Sequence, residues 1–210
     1  YPLGTKRMCV DSHYFETYNQ DHVHLVDIRQ NPIAQITPPG LETTTEDGST
    51  TSHEFDAIVY ATGFDAMTGT IVAVDVRGVG DATIKERWSE GPQTYLGLSV
   101  ADFPNFFTVT GPGSPSVLSN MMISIEQHAE WITNCITYLR DQNLTTIAAD
   151  EQAQDEWGAH VNEVANLTLY PQANSWYMGA NVAGKPRVFL PYVGGAGAYR
   201  EICKQVAADH

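Results

Sequence analysis

The 210-residue sequence is 42% hydrophobic and 10% aromatic, which is the composition of a globular protein with a core. Its 25 acidic and 11 basic residues give a formal net charge of −14, which argues against nucleic acid or an anionic membrane as the main partner. We find no long apolar run and no charged-then-apolar leader, so we expect neither a membrane span nor a signal peptide. The three cysteines lie far apart, which predicts buried thiols in a reducing, cytoplasmic compartment.

The first third of the chain contains segments typical of strands. Residues His22–Ile28 alternate in polarity, and Ile33–Thr37 is a second short apolar run after a turn at Asn31-Pro32. The polar stretch Glu42–Ser52 indicates a hairpin tip or an exposed loop. Asp56–Gly63 is a continuous apolar run that ends in small residues, which predicts a strand buried on both faces of a parallel sheet.

The later part of the chain is mainly helical in pattern. A second buried strand is predicted at Phe106–Thr110, and it runs into Gly111. Ser114-Pro115 supplies helix-start chemistry, and spacings of three and four then mark one apolar face. Its members are Leu118, Met122, Ile125, Ala129, Ile132, Ile136 and Leu139. Two more helices are predicted over Asp150–Asn166, with Ala153, Trp157, Val161 and Val164 buried, and over Tyr199–Ala208.

Residues 167–197 are predicted to be loop apart from Val188–Tyr192. A loop of this length is usually functional or disordered, and its Trp, Tyr and Gly content favours a function.

The segment Gly111-Pro112-Gly113 follows a predicted strand and leads into the long predicted helix. That geometry can place backbone N–H groups and a helix dipole against an anion. It lacks the third glycine of GxGxxG, so a flavin ring edge suits it better than a dinucleotide phosphate. A tight turn before a core helix is an equally good interpretation.

Three other features are weak when taken singly. Ala61-Thr62-Gly63 permits close backbone approach to a ligand or to another segment. The adjacent pair Lys6-Arg7 suits phosphates and oxyanions, although adjacent basic residues are more often solvated. Trp176 is either functional or a packed loop aromatic.

The spacing of the candidate residues along the sequence argues against a serine hydrolase and against a metal site. Gly113-Ser114-Pro115 lacks the flanking glycines of a G-x-S-x-G elbow. His22 and His24 share one side of the predicted strand, yet no third metal ligand is near them.

At these residues the chain resembles the Baeyer–Villiger monooxygenases, which are flavin-dependent, and the phenylacetone type is the most similar. The resemblance covers nearly the whole chain in family order. Its landmarks are Gly4-Thr-Lys-Arg7, Tyr14–Asn19, Ala61–Asp65, Arg77–Gly80, Thr94–Gly97, Gly111–Ser116, Leu118–Met121, Ser124–His128, Ser175-Trp176, Gly179–Asn181 and Gly184–Arg187.

The resemblance implies an α/β fold and a carboxy-terminal portion only. The family's two GxGxxG motifs and the signature between them do not occur here, so the partner would be a missing amino-terminal portion of the same protein. Residues 1–60 would end an NADP-binding domain. Residues 61–210 would form the carboxy-terminal part of an FAD-binding domain of Rossmann-like type, with 167–197 as its active-site loop.

The resemblance also implies a reaction and roles. FAD reduced by NADPH would activate O2, and one oxygen atom would be inserted beside a ketone carbonyl to give an ester or lactone. Arg7 would stabilise the negative charge that develops on oxygen. Lys6 and Trp176, together with Arg7, would bind NADP, and the substrate pocket would include Ser116, Val117 and Leu118. The FAD contacts would be Thr62, Gly63, Gly111, Gly113, Asn120 and Met121.

Two other functions remain open from the sequence. A related flavin monooxygenase could oxygenate nitrogen or sulfur, and it would not require Arg7. Alternatively, the fragment could be a non-catalytic binding module that folds by itself.

Overall fold

The computed structural model describes residues 1–209, which divide into two compact units. Unit 1 contains Tyr1–Arg7 and the chain from Phe64 onward, whereas unit 2 is Met8–Gly63. The change of unit after Gly63 lies close to the boundary predicted after residue 60. The first seven residues, however, belong to unit 1.

Unit 2 contains a short helix α1 (Tyr14–Thr17) and a three-stranded antiparallel sheet. The strands are β1 (Ile33–Thr37), β2 (Gly40–Thr44) and β3 (Thr50–Glu54), in the order β1-β2-β3. In the register, Ile36 lies opposite Leu41, and Thr43 lies opposite Thr51. The prediction of β1 is therefore confirmed, and the hairpin tip predicted within 42–52 is the turn between β2 and β3.

Two predicted strands of unit 2 are wrong. His22–Ile28 and Asp56–Gly63 are irregular, and Leu25 and Val59 are 81% and 87% exposed. A strand of a parallel sheet needs a hydrogen-bonded neighbour and cover on both faces. The strands that the structure describes within residues 8–63 are β1, β2 and β3, and they pair only antiparallel with one another. An apolar run alone therefore did not form a strand.

Unit 1 is built on three long helices, α4 (Met121–Asp141), α5 (Glu151–Asn166) and α6 (Ala196–Ala208), with short helices α2 (Gly69–Val72) and α3 (Ile84–Arg87) before them. The predictions of α5 and α6 are confirmed, although α6 begins three residues earlier than predicted. The Asp150 carboxylate accepts a hydrogen bond from the Ala153 amide at 3.0 Å, which satisfies a free N–H of the first turn of α5. Short 3₁₀ turns lie at Val79–Asp81, Ser116–Leu118, Tyr170–Gln172 and Trp176–Met178.

Helix α4 is present, but its start and its buried face were predicted incorrectly. Ser119 is extended, with φ −128° and ψ −175°, so the turn at Ser116–Leu118 stays separate from the helix, which Asn120 caps. The predicted face members Met122 and Ile136 are exposed, whereas Ser124 and His128 are buried. Periodicity finds the most apolar stripe. Packing against α6 uses the neighbouring stripe, where the Trp131 indole donates to the Cys203 carbonyl at 3.0 Å.

The main core of unit 1 is aromatic. The Trp157 ring lies 5.0 Å from the Tyr192 ring and 6.1 Å from the Tyr199 ring, measured between centroids, which suits tilted aromatic packing. Leu96 and Leu98 fill the same cluster. A smaller cluster contains Ile84, Trp88, Val100 and Phe103.

Three further predictions differ from the structure. Phe106–Thr110 forms only an isolated bridge, between Phe107 and Ser99, and Val188–Tyr192 is a buried irregular segment. The cysteines are free thiols, but Cys9 is exposed, so only Cys203 is fully buried as predicted.

No helix within residues 1–209 is long and apolar enough to cross a membrane.

A buried histidine ties α4 to α6. His128 Nδ1 accepts from the Thr110 amide at 2.9 Å, and Nε2 lies 2.9 Å from the Tyr199 hydroxyl, which donates to the Leu96 carbonyl at 2.6 Å. This chain of bonds requires a neutral imidazole with its proton on Nε2. Burial lowers the pKa of His128 from 6.5 to about 4.

We expect this histidine to make the protein less stable in mild acid. The folded-state pKa lies below the unfolded value, so the unfolded chain binds the proton more readily as the pH falls below about 6.5. The His128 contribution to the free energy of unfolding should therefore drop by about 2 kcal/mol between about pH 7 and pH 5. Denaturant unfolding of the parent and of His128→Gln at both pH values measures this. An equal pH dependence in the two proteins would contradict the assignment.

Candidate active site

Arg7 reaches the turn at Ser116–Leu118, which we call the Ser116 turn. Its guanidinium Nη2 donates to the Val117 carbonyl at 2.8 Å. The Arg7 backbone follows a tight turn in which buried Thr5 donates from its hydroxyl to the Pro2 carbonyl at 2.7 Å. The ammonium group of Lys6 lies over the Tyr1 ring, 4.5 Å from its centroid. The two adjacent cations therefore have different partners.

The Ser116 turn is strained and buried. Ser116 is 1% exposed and has a φ of 39°, a backbone conformation that costs a non-glycine residue free energy. Its hydroxyl contacts two sulfur atoms, Met67 Sδ at 3.7 Å and Met121 Sδ at 3.9 Å. Because Met121 begins α4, the turn, the helix start and Met67 form one contact group.

Close backbone packing supports this turn. Gly111 approaches Gly97 so closely that a Cβ on Gly111 would lie 2.6 Å from the Gly97 carbonyl oxygen. The Gly113 amide donates to the Leu190 carbonyl at 2.7 Å, and the Gly113 carbonyl accepts from the Trp157 indole at 3.1 Å. The backbone groups of Gly113 are thus used within the protein and are not free to hold an anion.

The amino terminus of α4 offers the polar groups that the sequence motif suggested. The Asn120 side chain accepts from the Met122 amide at 3.0 Å, and Met121 is 37% exposed. The first N–H groups of an α-helix lack intrahelical partners and carry partial positive charge. This end of the helix can therefore accept an electron-rich ligand atom.

Trp176 opens the 3₁₀ turn Trp176–Met178, which we call the Trp176 turn. The Ser175 hydroxyl accepts from the Tyr177 amide at 3.3 Å, and Gly179 ends the turn with a φ of 67°. The Trp176 and Tyr177 rings lie 4.0 Å apart between centroids. Trp176 is half-buried against the main core, so the loop that carries it is packed at this point.

The segment Phe64–Met67, here called the bridging segment, contacts the Ser116 turn and the part of the loop that follows the Trp176 turn. Met67 contacts Ser116, as described above. The Phe64 carbonyl accepts from Asn181 Nδ2 at 2.8 Å, and the Ala66 carbonyl accepts from Lys185 Nζ at 2.9 Å. Lys185 also forms an ion pair with Asp65.

The structure brings some of the predicted site residues together. Arg7, Ser116, Val117 and Met121 share one contact group. The bridging segment connects this group to Asn181 and Lys185, which follow the Trp176 turn along the chain. Thr62 and Gly63 are exposed at the end of unit 2. Sequence reasoning did not assign roles to Asp65, Met67, Asn181 or Lys185. Roles for Asp65, Asn181 and Lys185 could have been proposed from the sequence, because these residues lie in segments that carried the family resemblance.

A cavity lies elsewhere in unit 1. It has a volume of about 620 Å³ and is lined by Arg87, Gln154, Trp157, Val188 and Phe189, among others. Of the predicted site residues, only Gly113 borders it. A catalytic centre needs charged or polar groups that converge on one point. The contact group at Arg7 remains the candidate because Arg7, Val117, Ser116 and Met121, all predicted site residues, meet there.

Residues 1–209 contain no group of three or more His, Cys, Asp or Glu side chains that could hold a metal ion. His160 instead pairs with the Tyr192 hydroxyl at 3.0 Å.

Curated relatives match almost the entire chain. A Baeyer–Villiger monooxygenase from Pseudooceanicola batsensis is 40% identical over 99% of the chain, and a methyl acetate-forming acetone monooxygenase from Gordonia is 42% identical over 99%. A phenazine N-monooxygenase from Lysobacter antibioticus is 38% identical over 99%. The chain is therefore similar over nearly its whole length to part of the Baeyer–Villiger monooxygenases. It spans only about 37–38% of the length of these relatives, and it fits a carboxy-terminal portion.

Solved structures of the family have the same fold. The OTEMO complex with FAD and NADP aligns with a TM-score of 0.90 and 39% identity, covering 100% of this chain and 38% of that one. Oxidised steroid monooxygenase bound to NADP aligns with a TM-score of 0.84 and 45% identity, covering 99% of this chain and 38% of that one. The prediction of an α/β fragment of such a flavoprotein is confirmed. No protein-family model matches the chain.

Replacing Gly97 should test the packing that supports the Ser116 turn. At Gly97 the φ is 70°, and a Cβ would lie 2.6 Å from Ser114 Cβ. Gly184→Ala is the matched control, because Gly184 has a φ of 77° and open space around it. We expect Gly97→Ala to lower the free energy of unfolding by about 1–3 kcal/mol more than the control does, because overpacking adds to the backbone strain. Equal losses in denaturant unfolding would show that the space at Gly97 is not restricted.

Proposed function

We propose that the chain forms the carboxy-terminal part of an FAD- and NADPH-dependent monooxygenase that inserts one oxygen from O2 beside a ketone carbonyl. The product is an ester or lactone. The observation that carries this proposal is the hydrogen bond from Arg7 to the Val117 carbonyl. It brings a permanent cation to the turn that family resemblance assigns to the substrate pocket.

The residues present fit a flavin. Electron density gathers at the edge of a reduced flavin ring, and the first N–H groups of α4, near Asn120 and Met121, can donate hydrogen bonds to it. Met121, the first residue of α4, is 37% exposed. In this proposal, FAD supplies two-electron chemistry and activation of O2. The further FAD contacts are Thr62, Gly63, Gly111 and Gly113, the last through close approach rather than through its amide.

Arg7 is proposed as the catalytic residue. A guanidinium stays charged throughout the pH range in which proteins work, and one of its nitrogens is fixed by the Val117 carbonyl. The remaining donors can face the oxyanion that forms when the ketone carbon becomes tetrahedral. A donor oriented before the reaction needs little rearrangement as negative charge develops, and this favours the charged transition state.

The loop and the pocket would complete the site. We propose that Lys6 and Trp176 bind NADP together with Arg7, that Ser116, Val117 and Leu118 contact the ketone, and that residues 167–197 cover the site. Excluding water from the reacting atoms strengthens electrostatic interactions there. The Trp176 indole can do so because it packs on the Tyr177 ring on one side.

An amino-terminal portion of the same protein is the proposed partner. The chain spans about 37% of the length of a relative such as the Pseudooceanicola protein. Large apolar side chains of unit 2 are exposed, including Leu25, Val59 and Tyr60. So many exposed apolar side chains indicate that another part of the protein packs against this surface. We propose that residues 1–60 end an NADP-binding domain and residues 61–210 belong to an FAD-binding domain.

Arg7→Ala in the complete, FAD-loaded protein should lower ester formation at least about a hundredfold, because the developing oxyanion loses its oriented cation. The visible absorbance of bound flavin should persist. Arg77→Ala is the matched control, since Arg77 is also exposed but pairs with Asp75 at 3.1 Å. Product analysis by gas chromatography gives the readout. Ester formation retained in Arg7→Ala would remove the proposal.

A second candidate function is oxygenation of nitrogen or sulfur, and the phenazine N-monooxygenase relative favours it. Transfer of oxygen to a soft nucleophile does not create the tetrahedral oxyanion that Arg7 would stabilise. We therefore expect Arg7→Ala to lose ketone oxygenation while retaining most sulfide oxygenation, measured with one ketone and one sulfide in parallel. A parent enzyme that forms only the sulfoxide or N-oxide would establish the second function instead.

A further inference from the structure

Lys185 lies in the proposed active-site loop and is unusually enclosed for a lysine. Its side chain is 10% exposed, whereas that of Lys204, another lysine in an ion pair, is 63% exposed. The Lys185 ammonium donates to the Asp65 carboxylate and to the Ala66 carbonyl, the latter at 2.9 Å. Both acceptors belong to the bridging segment Phe64–Met67.

The stem of Lys185 packs against the end of the Trp176 turn. A Cβ on Gly179 would lie 3.5 Å from Lys185 Cγ, 3.6 Å from Cδ and 2.7 Å from the Pro186 carbonyl oxygen. A side chain at Gly179 would therefore reach this stem, so the end of the Trp176 turn lies next to Lys185. Asn181 makes a second contact with the bridging segment, because its side-chain amide donates to the Phe64 carbonyl at 2.8 Å.

The same bridging segment contacts the Ser116 turn on which Arg7 is anchored. Met67 Sδ lies 3.7 Å from the Ser116 hydroxyl, and the next residue, Val117, accepts the Arg7 hydrogen bond. A continuous set of contacts thus runs from the Trp176 turn through Lys185 and the bridging segment to Arg7.

We propose that Lys185 is a positioning residue, which fixes the Trp176 turn relative to the Arg7 anchor through its bonds to Asp65 and Ala66. It touches neither substrate nor cofactor in this role. The consequence for the reaction rests on the proposed function above, because Trp176 must be held in place to keep water from the reacting atoms. The contacts themselves do not depend on that function.

An ammonium group suits this position for a physical reason. Lysine has three donors on a long flexible stem, so one side chain can pack on Gly179 and still reach two acceptors. Methionine would retain much of the stem but leave the Asp65 carboxylate and the Ala66 carbonyl without this donor. Exposed ion pairs contribute little, whereas an enclosed ammonium with two acceptors contributes more.

The variants for the test are Lys185→Met, Asp65→Asn and the double variant, all made in the complete, FAD-loaded protein. Lys204→Met is the matched control, because Lys204 forms an exposed ion pair with Glu201 within α6. The readout is limited digestion with chymotrypsin, in which mass spectrometry follows cleavage after Trp176 and Tyr177. This protease does not cut at lysine, and Pro186 blocks a cut after position 185 in Lys185→Met. Mass spectrometry distinguishes any cut after position 204 in Lys204→Met from cuts after Trp176 and Tyr177.

We expect cleavage in the Trp176 turn to become about tenfold faster in each single variant, because digestion follows the population of the open loop. The double variant should be no faster than the singles, and Lys204→Met should match the parent. Unchanged cleavage, additive effects in the double variant, or equally faster cleavage throughout the protein would each overturn the proposal. The last result would show a general loss of stability.

Coupling of NADPH oxidation to product formation provides the second readout. We expect Lys185→Met to form severalfold less ester per NADPH oxidised, while the thermal midpoint stays near that of the parent. A parent protein that forms no ester from any ketone contradicts the proposed function alone, and the cleavage rates then still decide the role of Lys185. Full coupling in Lys185→Met together with parent-like cleavage overturns the positioning role.

Discussion

Close backbone packing beneath the Ser116 turn is the constraint on which the candidate site depends. Gly111 lies against Gly97, and Gly113 is held by Leu190 and Trp157. With this support, Ser116 is kept buried in a conformation that costs a non-glycine residue free energy. The Val117 carbonyl is thereby fixed where it can accept the Arg7 hydrogen bond, and α4 begins only a few residues later.

Two cations of this acidic chain are used in similar ways. Arg7 and Lys185 each donate to a main-chain carbonyl, of Val117 and Ala66 respectively. A carbonyl acceptor orients a cation without neutralising its charge, so Arg7 keeps its full charge for a developing anion. Lys185 also meets the Asp65 carboxylate, so its charge is compensated. The two residues therefore suit different roles, catalysis for Arg7 and positioning for Lys185.

The glycines of the Gly111-Pro112-Gly113 segment illustrate how one motif can serve packing and function together. Their lack of side chains is explained by internal contacts with Gly97, Thr94 and Trp157. Rigid packing of this kind also holds the amino terminus of α4 in a fixed direction. A helix end that is fixed before a ligand binds loses little entropy on binding.

Local pattern in the sequence determined the helices α5 and α6, strand β1 and the residues that carry the family resemblance. It did so because helical spacing, capping residues and short motifs are encoded by neighbours along the chain. The tertiary structure decided which stripe of α4 is buried, since His128 and Trp131 pack there on Tyr199 and Cys203. It also decided that Lys185 meets Asp65, 120 residues away. Contacts at such separation depend on how loops pack, and no local pattern in the sequence specifies them.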